Sequence, residues 1–279
     1  MSRHRLADYQ PLRMTPAAPP PVSAPSGPGR RRWALPTALA VVIGLVGLVG
    51  SATAAVSHRS THTAAAMAAV ADPSGWYLTL PTGRKGDPDT VQPPKLGGYS
   101  SAWFHLDSAG QGLVFTANAG GVTTSGSSYP RSELREMDGG KQADWSNTRG
   151  THTLTVRQAV TALPKAKPEV VTAQIHDSAD DVMEIRLEGS RLIAEYNDGR
   201  TDITLDPSYS LGDIYDLKIV AADGRVRVFY NGTKKVDVAL RGSGWYFKSG
   251  SYVQSNTSKG DKAGAVATVV IYQLRVTHS

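Results

Sequence analysis

The chain has 279 residues, 40% of them hydrophobic, which is enough to build a sizeable buried core and excludes disorder over most of the length. Its net charge of +6 belongs mainly to the first 58 residues, where six arginines stand against one aspartate; the other 221 residues carry +1 and lack the basic surface of a nucleic-acid-binding protein. The absence of cysteine excludes disulfides, thiolate metal sites and a cysteine nucleophile.

The N-terminal part has the composition of an export signal. Residues 1–32 form a basic leader rich in proline and alanine, which is typical of an extended segment. Three arginines then precede an uncharged run of 18 residues, WALPTALAVVIGLVGLVG, and small residues follow, so we interpret residues 33–70 as an apolar signal or anchor with an Ala-rich linker. Because 18 apolar residues reach the lower limit for spanning a bilayer, the sequence leaves open a cleaved signal and an anchor at residues 33–56. We expect a secreted protein, with membrane contact only through this segment if it is uncleaved.

From residue 71 to residue 279 the sequence predicts one domain of β-strands. β-branched and aromatic residues alternate or run apolar over strand lengths at residues 152–160, 182–188, 191–196, 215–222, 225–230 and 265–276. Between them, the pairs Asn197-Asp198, Asp223-Gly224 and Asn231-Gly232 tolerate positive φ and predict tight hairpin turns. Many short antiparallel strands without a helical period indicate an all-β fold, a β-sandwich jelly roll with a concave sheet.

Three segments of this domain, RSELR, QIH and YFKSGSYVQ, carry polar residues at alternate positions. Alternate side chains of a strand share a face, so each segment predicts a polar face backed by an apolar one. The polar sets are Arg131, Glu133 and Arg135; Gln174 and His176; and Lys248, Gly250, Tyr252 and Gln254. The apolar residues opposite them are Leu134, Ile175, Phe247 and Val253. Three cations against one glutamate make the polar faces locally positive, which predicts an acidic, extended ligand.

In this order, the three segments closely resemble the signature regions of the alginate lyases of polysaccharide lyase family 7, and GWYLTLPTG at residues 75–83 resembles the usual start of that family. The resemblance extends from about residue 71 to the C-terminus. It implies a jelly roll whose concave sheet cleaves β-1,4-linked uronic acid polymers by β-elimination, with alginate or a related acidic polysaccharide as partner. The residues that it implies are catalytic are Arg131, Gln174, His176 and Tyr252; those that it implies bind substrate are Arg135, Lys248 and Gln254.

Elimination requires residues of these types. Removing the C5 proton of a uronate builds a second negative charge beside its carboxylate, which Arg131 and Gln174 can neutralise or hydrogen-bond. His176, with an ordinary pKa of about 6.5, suits the base, while Tyr252, with an ordinary pKa of about 10, suits the acid and can also act as base if cationic neighbours lower that pKa. In mannuronate the C5 proton and O4 lie on the same side, so Tyr252 can serve both roles; in guluronate they lie on opposite sides. Ile175 within QIH resembles the family variant that accepts guluronate.

Each motif taken alone is more typical of an ordinary structural feature, such as a solvated ion pair or strand packing. Their shared face and order favour a site.

The acids at residues 136–138 lack the third acid of jelly-roll glycoside hydrolases, and no histidine or carboxylate cluster has metal-ligand spacing, so neither hydrolysis nor a metal or other cofactor is expected. Two alternatives stay open: a lyase for another polyuronate such as glucuronan, and a jelly roll that binds acidic polysaccharide without cleaving it. A monomer is expected, and the sequence does not indicate endo or exo action.

Overall fold

The structure, a computed structural model, describes residues 63–279, so the basic leader and the apolar segment lie outside the described residues. An α-helix covers residues 63–70, and 3-10 turns cover Pro73–Gly75, Lys95–Gly98 and Thr257–Lys259. The strands are β1 (Trp76–Arg84), β2 (Asp87–Val91), β3 (Phe104–Leu106), β4 (Leu113–Asn118), β5 (Arg131–Asp138), β6 (Lys141–Gln142), β7 (Thr151–Ala162), β8 (Glu169–His176), β9 (Asp181–Glu188), β10 (Arg191–Tyr196), β11 (Thr201–Asp206), β12 (Tyr215–Ala222), β13 (Arg225–Tyr230), β14 (Thr233–Val238), β15 (Tyr246–Val253) and β16 (Val266–His278).

Within residues 63–279 the strands form two antiparallel sheets. The larger sheet has the order β11-β10-β9-β8-β15-β5-β1-β2, with β6 paired to β5, and the smaller has the order β14-β13-β12-β7-β16-β4-β3. Several neighbours, such as β8 with β15 and β7 with β16, lie far apart in the chain, as expected of a jelly roll. The predicted all-β sandwich is confirmed.

The apolar faces of the three signature strands are buried in the core. Leu134, Ile175, Phe247 and Val253 are each at most 1% exposed, and they belong to one cluster with residues of the smaller sheet such as Leu154. Burying a side chain of this size contributes about 1.5–3 kcal/mol. This apolar face fixes the orientation of β5, β8 and β15, and their polar residues therefore point to the other side of the sheet.

The hairpin turns form where the sequence predicts them. Asp223 and Gly224 have φ of 55° and 68°, and Asn231 and Gly232 have φ of 47° and 79°. Positive φ at both central residues is the signature of the tight turn that matches the twist of paired strands. These turns join β12 to β13 and β13 to β14 in the smaller sheet.

The helix over residues 63–70 is packed on the domain. Met67 is 2% exposed and Val70 4%, and both belong to the core cluster. Residues three apart lie on one helix face, and alanine is the strongest helix former, so this Ala-rich stretch forms an amphipathic helix. Residues 63–70 of the predicted Ala-rich linker thus form a helix that contributes Met67 and Val70 to the core, while the predicted domain boundaries stay a prediction. No helix within the described part is long and apolar enough to cross a membrane.

A buried carboxylate, that of Glu136 in β5, joins the two sheets. One of its oxygens, Oε2, accepts hydrogen bonds from the Trp145 indole at 3.0 Å and from the backbone N–H of Phe247 at 2.8 Å. The other oxygen, Oε1, lies 2.6 Å from Nε2 of His278, at the end of β16 in the smaller sheet. Glu136 is 2% exposed, so loss of its partners would leave a buried charge unpaired.

The hydrogen bonds around His278 indicate an imidazolium. Nε2 of His152 lies 3.1 and 3.0 Å from the carbonyl oxygens of Ser146 and Arg149, so this nitrogen donates. Nδ1 of His152 shares a hydrogen with Nδ1 of His278, 2.7 Å away. Nε2 of His278 lies against the Glu136 carboxylate, and this hydrogen bond raises the pKa of His278 above its ordinary value, which favours its imidazolium form.

We predict that His278→Ala destabilises the fold in a pH-dependent way. Because the pKa is raised on folding, the stabilisation is complete below the ordinary value of about 6.5 and is lost as the pH rises through the folded value. Thermal unfolding should therefore show a larger loss of melting temperature at about pH 6 than at about pH 9. His105→Ala is the matched control, since the His105 ring contacts a carbonyl oxygen, that of Ser101, at 3.2 Å. Equal losses at both pH values for His278→Ala would exclude a contribution from the imidazolium.

Candidate active site

Three adjacent strands of the larger sheet, β8, β15 and β5, bring the predicted polar side chains together. Lys248 of β15 pairs with Gln174 of β8 on one side and with Arg135 of β5 on the other. Tyr252 pairs with Arg131. Directly paired residues of neighbouring strands have their Cβ atoms about 4.5–5.5 Å apart and share a face, so these five side chains form one polar surface.

A bulge at Gly250 separates Lys248 from Tyr252 on β15. The register of β15 against β8 shifts between Ser249 and Tyr252, and Gly250 has φ of +147°. A Cβ atom at this position would lie 2.6 Å from the carbonyl oxygen of Ser132, so a side chain does not fit. Because a bulge bends and twists its strand, Gly250 sets the direction in which Tyr252 leaves the sheet.

The polar surface lines a cavity of about 270 Å³, which we call the groove. Its lining residues are Tyr77, Thr79, Thr124, Gly126, Ser127, Arg131, Arg135, Gln174, His176, Ala179, Asp180, Asp181, Glu184, Tyr246, Lys248 and Tyr252. Six of the seven predicted site residues are therefore brought together. Gln254 is not: it lies one residue beyond the end of β15, is 4% exposed and does not line the groove, so its position does not support the predicted contact with substrate.

Glu133 lies at the centre of the site and is 1% exposed. Its Oε2 is 2.7 Å from the Lys248 ammonium and 3.2 Å from Nη1 of Arg131, and its Oε1 accepts a hydrogen bond from the amide of Gln174. Burial alone would raise the pKa of Glu133, but the two cations hold it below its ordinary value. For the lysine, burial disfavours the charged form and lowers the pKa of Lys248 to about 8. The carboxylate therefore fixes three of the predicted site residues in one array.

Tyr252 stands between a cation and a hydroxyl. The guanidinium carbon of Arg131 lies 3.7 Å from the centre of its ring, and its phenolic oxygen lies 2.8 Å from Oγ of Ser127. Burial raises the pKa of Tyr252 above its ordinary value, although Arg131 and the Ser127 hydrogen bond oppose this shift. The condition for a basic role of Tyr252, a pKa lowered by cationic neighbours, is therefore not met in the free site, because desolvation outweighs the effect of Arg131. The phenol is protonated at neutral pH.

His176 is held in one tautomer at the end of β8. Its Nδ1 is 2.6 Å from the carbonyl oxygen of Asp177, which can only accept, so Nδ1 carries the hydrogen. The hydroxyl oxygen of Tyr246 lies 3.0 Å from the same nitrogen, and the ring of Tyr246 stacks on the imidazole. Burial, assisted by the charge of Lys248, lowers the pKa of His176. The ring is therefore neutral at neutral pH, with Nε2 available to accept a proton.

Arg135 extends the cationic part of the groove towards β1. Its guanidinium carbon lies 3.7 Å from the ring centre of Tyr246 and 5.9 Å from that of Tyr77. A planar guanidinium stacks well on aromatic rings, which orients it without using its N–H donors. Nη1 of Arg135 and Nε of Arg131 have no hydrogen-bond acceptor within residues 63–279. Donor capacity therefore remains on both arginines.

The opposite side of the groove is acidic. Asp181 and Glu184 of β9 line it, and Glu184 bonds Arg186 at 2.6 Å. Burial, followed by the charges of Glu184 and Asp180, raises the pKa of Asp181 to about 7, and burial raises that of Glu184 against the influence of Arg186. Within the described residues, no group of these acids and the histidines is arranged to hold a metal ion.

Three residues of the site are given no role by the motif analysis, although Glu133 is placed on its polar face. Glu133 and Tyr246 belong to the polar faces of RSELR and YFKSGSYVQ, since Tyr246 is two residues before Lys248, and alternation alone would have placed both in the groove. Ser127 lies in the loop between β4 and β5, where no periodic pattern applies. Its contact with Tyr252 spans 125 positions of the chain and appears only in the folded structure.

The comparisons with known proteins agree with this geometry. A family model described as alginate lyase matches residues 71–278. Alginate lyase AlgAT5 from polysaccharide lyase family 7 is 48% identical to this chain with a TM-score of 0.72, and the alginate lyase from Corynebacterium sp. is 42% identical with the same score; each match covers 75% of this chain and 96% of the other. The comparison with curated proteins gives no match.

A further solved structure, a variant of alginate lyase A1-II' in complex with the substrate GGMG, is 31% identical with a TM-score of 0.65, over 75% of this chain and 94% of the other. In that variant a histidine is replaced by asparagine and a tyrosine by phenylalanine. The family model covers well over half of the chain, and the similarity to solved structures extends over nearly their whole length. This chain therefore belongs to the alginate lyases of polysaccharide lyase family 7.

Proposed function

We propose that the domain cleaves alginate in the groove by β-elimination, breaking a 1,4 link between two uronates and leaving a 4,5-unsaturated end. Membership of the alginate lyase family supports this reaction. The observation that carries the proposal is the presence, in one groove, of a neutral imidazole, a neutral phenol and two arginines: His176, Tyr252, Arg131 and Arg135. A structure of a relative also supports the proposal, since a variant of alginate lyase A1-II' has been solved in complex with the substrate GGMG.

Binding of the substrate carboxylate is the first task of the site. Arg131 donates one N–H to Glu133, while its Nε and the Nη1 of Arg135 have no acceptor within the described part of the chain. The amide of Gln174 likewise bonds Glu133 through one of its two N–H groups. Arg131, Arg135 and Gln174 line the groove, so their charge and amide dipole suit a uronate carboxylate and stabilise the second negative charge that develops when C5 loses its proton.

Two proton transfers complete the elimination. Nε2 of His176 takes the C5 proton, and the electron pair of the C5–H bond forms the C4–C5 double bond. The C4–O4 bond breaks, and O4 takes the phenolic proton of Tyr252 and leaves as the hydroxyl of a new reducing end. A neutral histidine and a protonated tyrosine are the forms that these two steps require.

The same pKa shifts bear on the preferred uronate. A raised pKa makes Tyr252 a poor base and leaves it suited to the acid role, with His176 as the separate base. Separate acid and base match guluronate, in which the C5 proton and O4 lie on opposite sides of the ring. We therefore propose a preference for guluronate, which the isoleucine of QIH, Ile175, also supports.

The reaction is tested by incubating the protein separately with polymannuronate, polyguluronate and glucuronan and following the ultraviolet absorbance of the unsaturated product. We expect absorbance to rise fastest with polyguluronate. Binding without any rise would identify a non-catalytic polysaccharide-binding domain. A rise with glucuronan alone would overturn alginate as the substrate.

Tyr252→Phe is the matched variant for this assay, since it removes one oxygen and keeps the ring that stacks on Arg131. We expect turnover to fall by at least about 100-fold, the usual contribution of a general acid, with substrate binding retained. Unchanged turnover would remove Tyr252 from the acid role.

The pH profile tests the base. The pKa of His176 is lowered, so the neutral form already predominates at the ordinary value of about 6.5 and is lost only at lower pH. We predict that kcat/KM on polyguluronate falls on the acid side below about pH 6.5, and that His176→Ala abolishes this limb and lowers kcat/KM at least about 100-fold. His105→Ala, in β3, serves as the control. An acid limb that persists in His176→Ala would assign the base to another residue.

We also propose that the protein is secreted, because its polymeric substrate is too large to cross a membrane and residues 30–54 have the basic, apolar and small-residue parts of a signal. N-terminal sequencing of protein recovered from the medium of producing cells should give a start after residue 50. Full-length protein found solely in the membrane fraction would favour the anchor. The monomeric state stays a prediction.

A further inference from the structure

Ser127 is placed over the groove by a loop that is fixed at several points. The loop joins β4 to β5, and its Ser128 carbonyl accepts a hydrogen bond of 3.0 Å from the side chain of Asn256. The ring of Tyr129 lies 5.1 Å from the ammonium of Lys167. These contacts tie the loop to segments on either side of it, so the 2.8 Å distance between Ser127 Oγ and the Tyr252 phenol is built into the fold.

The hydrogen of the Ser127 hydroxyl has two positions open to it in the free site. Its Oγ accepts a hydrogen bond of 3.0 Å from the backbone N–H of Tyr129, and it lies 3.2 Å from the carbonyl oxygen of the same residue and 2.8 Å from the Tyr252 phenol, where either oxygen can be the donor. When the Ser127 hydrogen is directed to the Tyr129 carbonyl, the phenol of Tyr252 donates to Oγ. The hydroxyl of Ser127 therefore has two acceptors within reach, the Tyr129 carbonyl and the phenolic oxygen.

That arrangement becomes useful once the phenol has given up its proton. A phenolate can only accept hydrogen bonds, and a charged acceptor binds a hydroxyl more strongly than a neutral carbonyl does. Rotation about the Cβ–Oγ bond of Ser127 moves its hydrogen from Tyr129 to Tyr252 without displacing the loop. Ser127 keeps its own proton throughout, and the proton lost from Tyr252 is the one that reaches O4.

We propose that Ser127 is a positioning residue for elimination: it holds the Tyr252 phenol in place by accepting its hydrogen bond, and it stabilises the phenolate by donating one after the proton has passed to O4. This inference rests on the proposed function. It assigns to the loop between β4 and β5 a part in the acid step that the motif residues do not show.

The charged groups around Tyr252 do not replace this hydrogen bond. Two cations approach its ring. The guanidinium carbon of Arg131, from β5, lies 3.7 Å from the ring centre, and the ammonium of Lys248, from β15 like Tyr252 itself, lies 5.8 Å from it. Glu133 and Glu184 oppose them, and burial disfavours the phenolate further. Among the described residues, Ser127 is the one whose side chain is hydrogen-bonded to the phenolic oxygen.

Ser127→Ala tests the inference, with Ser127→Thr as the conservative variant and Ser128→Ala as the control. Ser128 is in the same loop, is exposed, and its hydroxyl makes no hydrogen bond within residues 63–279. On polyguluronate we expect Ser127→Ala to lower kcat about 10-fold or more with KM changed less than twofold, since a hydrogen bond to a charged group is lost. Ser127→Thr should recover most of the rate because it keeps the hydroxyl, and Ser128→Ala should behave as the wild type.

A binding measurement separates this role from a structural one. If Ser127 acts through the Tyr252 proton, Ser127→Ala introduced into Tyr252→Phe should leave the affinity for polyguluronate unchanged. Weaker binding by that double variant, or a rate of Ser127→Ala equal to that of Ser128→Ala, would overturn the inference. Absence of unsaturated product with the wild-type protein would instead overturn the proposed function.

Discussion

The site depends on a buried carboxylate. Glu133 is 1% exposed beneath a groove suited to carboxylate ligands, and an unpaired charge in that position would cost several kcal/mol. Lys248, Arg131 and Gln174 all bond to it, so they are fixed by an interaction that the fold itself requires. The ionic cluster thus holds its donors in place before substrate arrives, and electrostatic catalysis depends on such preorganisation.

Desolvation gives the proposed acid and the proposed base their protonation states through a single physical cause. Burial disfavours the charged form of any group, so it lowers the pKa of His176 and raises that of Tyr252. The histidine is then neutral and accepts a proton, whereas the tyrosine is neutral and donates one. Neighbouring charges modify both pKa values, but burial is the largest contribution to each. Burial of both side chains therefore gives them the protonation states that the proposed elimination requires.

Two glutamates of β5 hold the catalytic strand β15 from its two faces. On the groove face Glu133 pairs with Lys248, and on the core face Glu136 accepts the backbone N–H of Phe247. Glu136 also binds His278 at the end of β16, which links the position of β15 to the smaller sheet. Two adjacent residues of β15, Phe247 and Lys248, are thus held in place from opposite faces of the sheet. This explains how a site built on strands keeps its geometry, although the loop carrying Ser127 completes it.

The sequence alone determined the all-β sandwich, the hairpin turns and the polar faces of the three signature strands, because strand alternation and positive-φ turns are local properties of the chain. Six of the seven site residues that the sequence predicts lie together in the groove. Only the tertiary structure decided the rest: that Gln254 is not among the groove-lining residues, that residues 63–70 pack as a helix, that Ser127 meets Tyr252, and that burial outweighs the cationic neighbours and raises the Tyr252 pKa. These outcomes depend on contacts between distant segments and on how much water the folded groove excludes, and neither is encoded in any local pattern of residues.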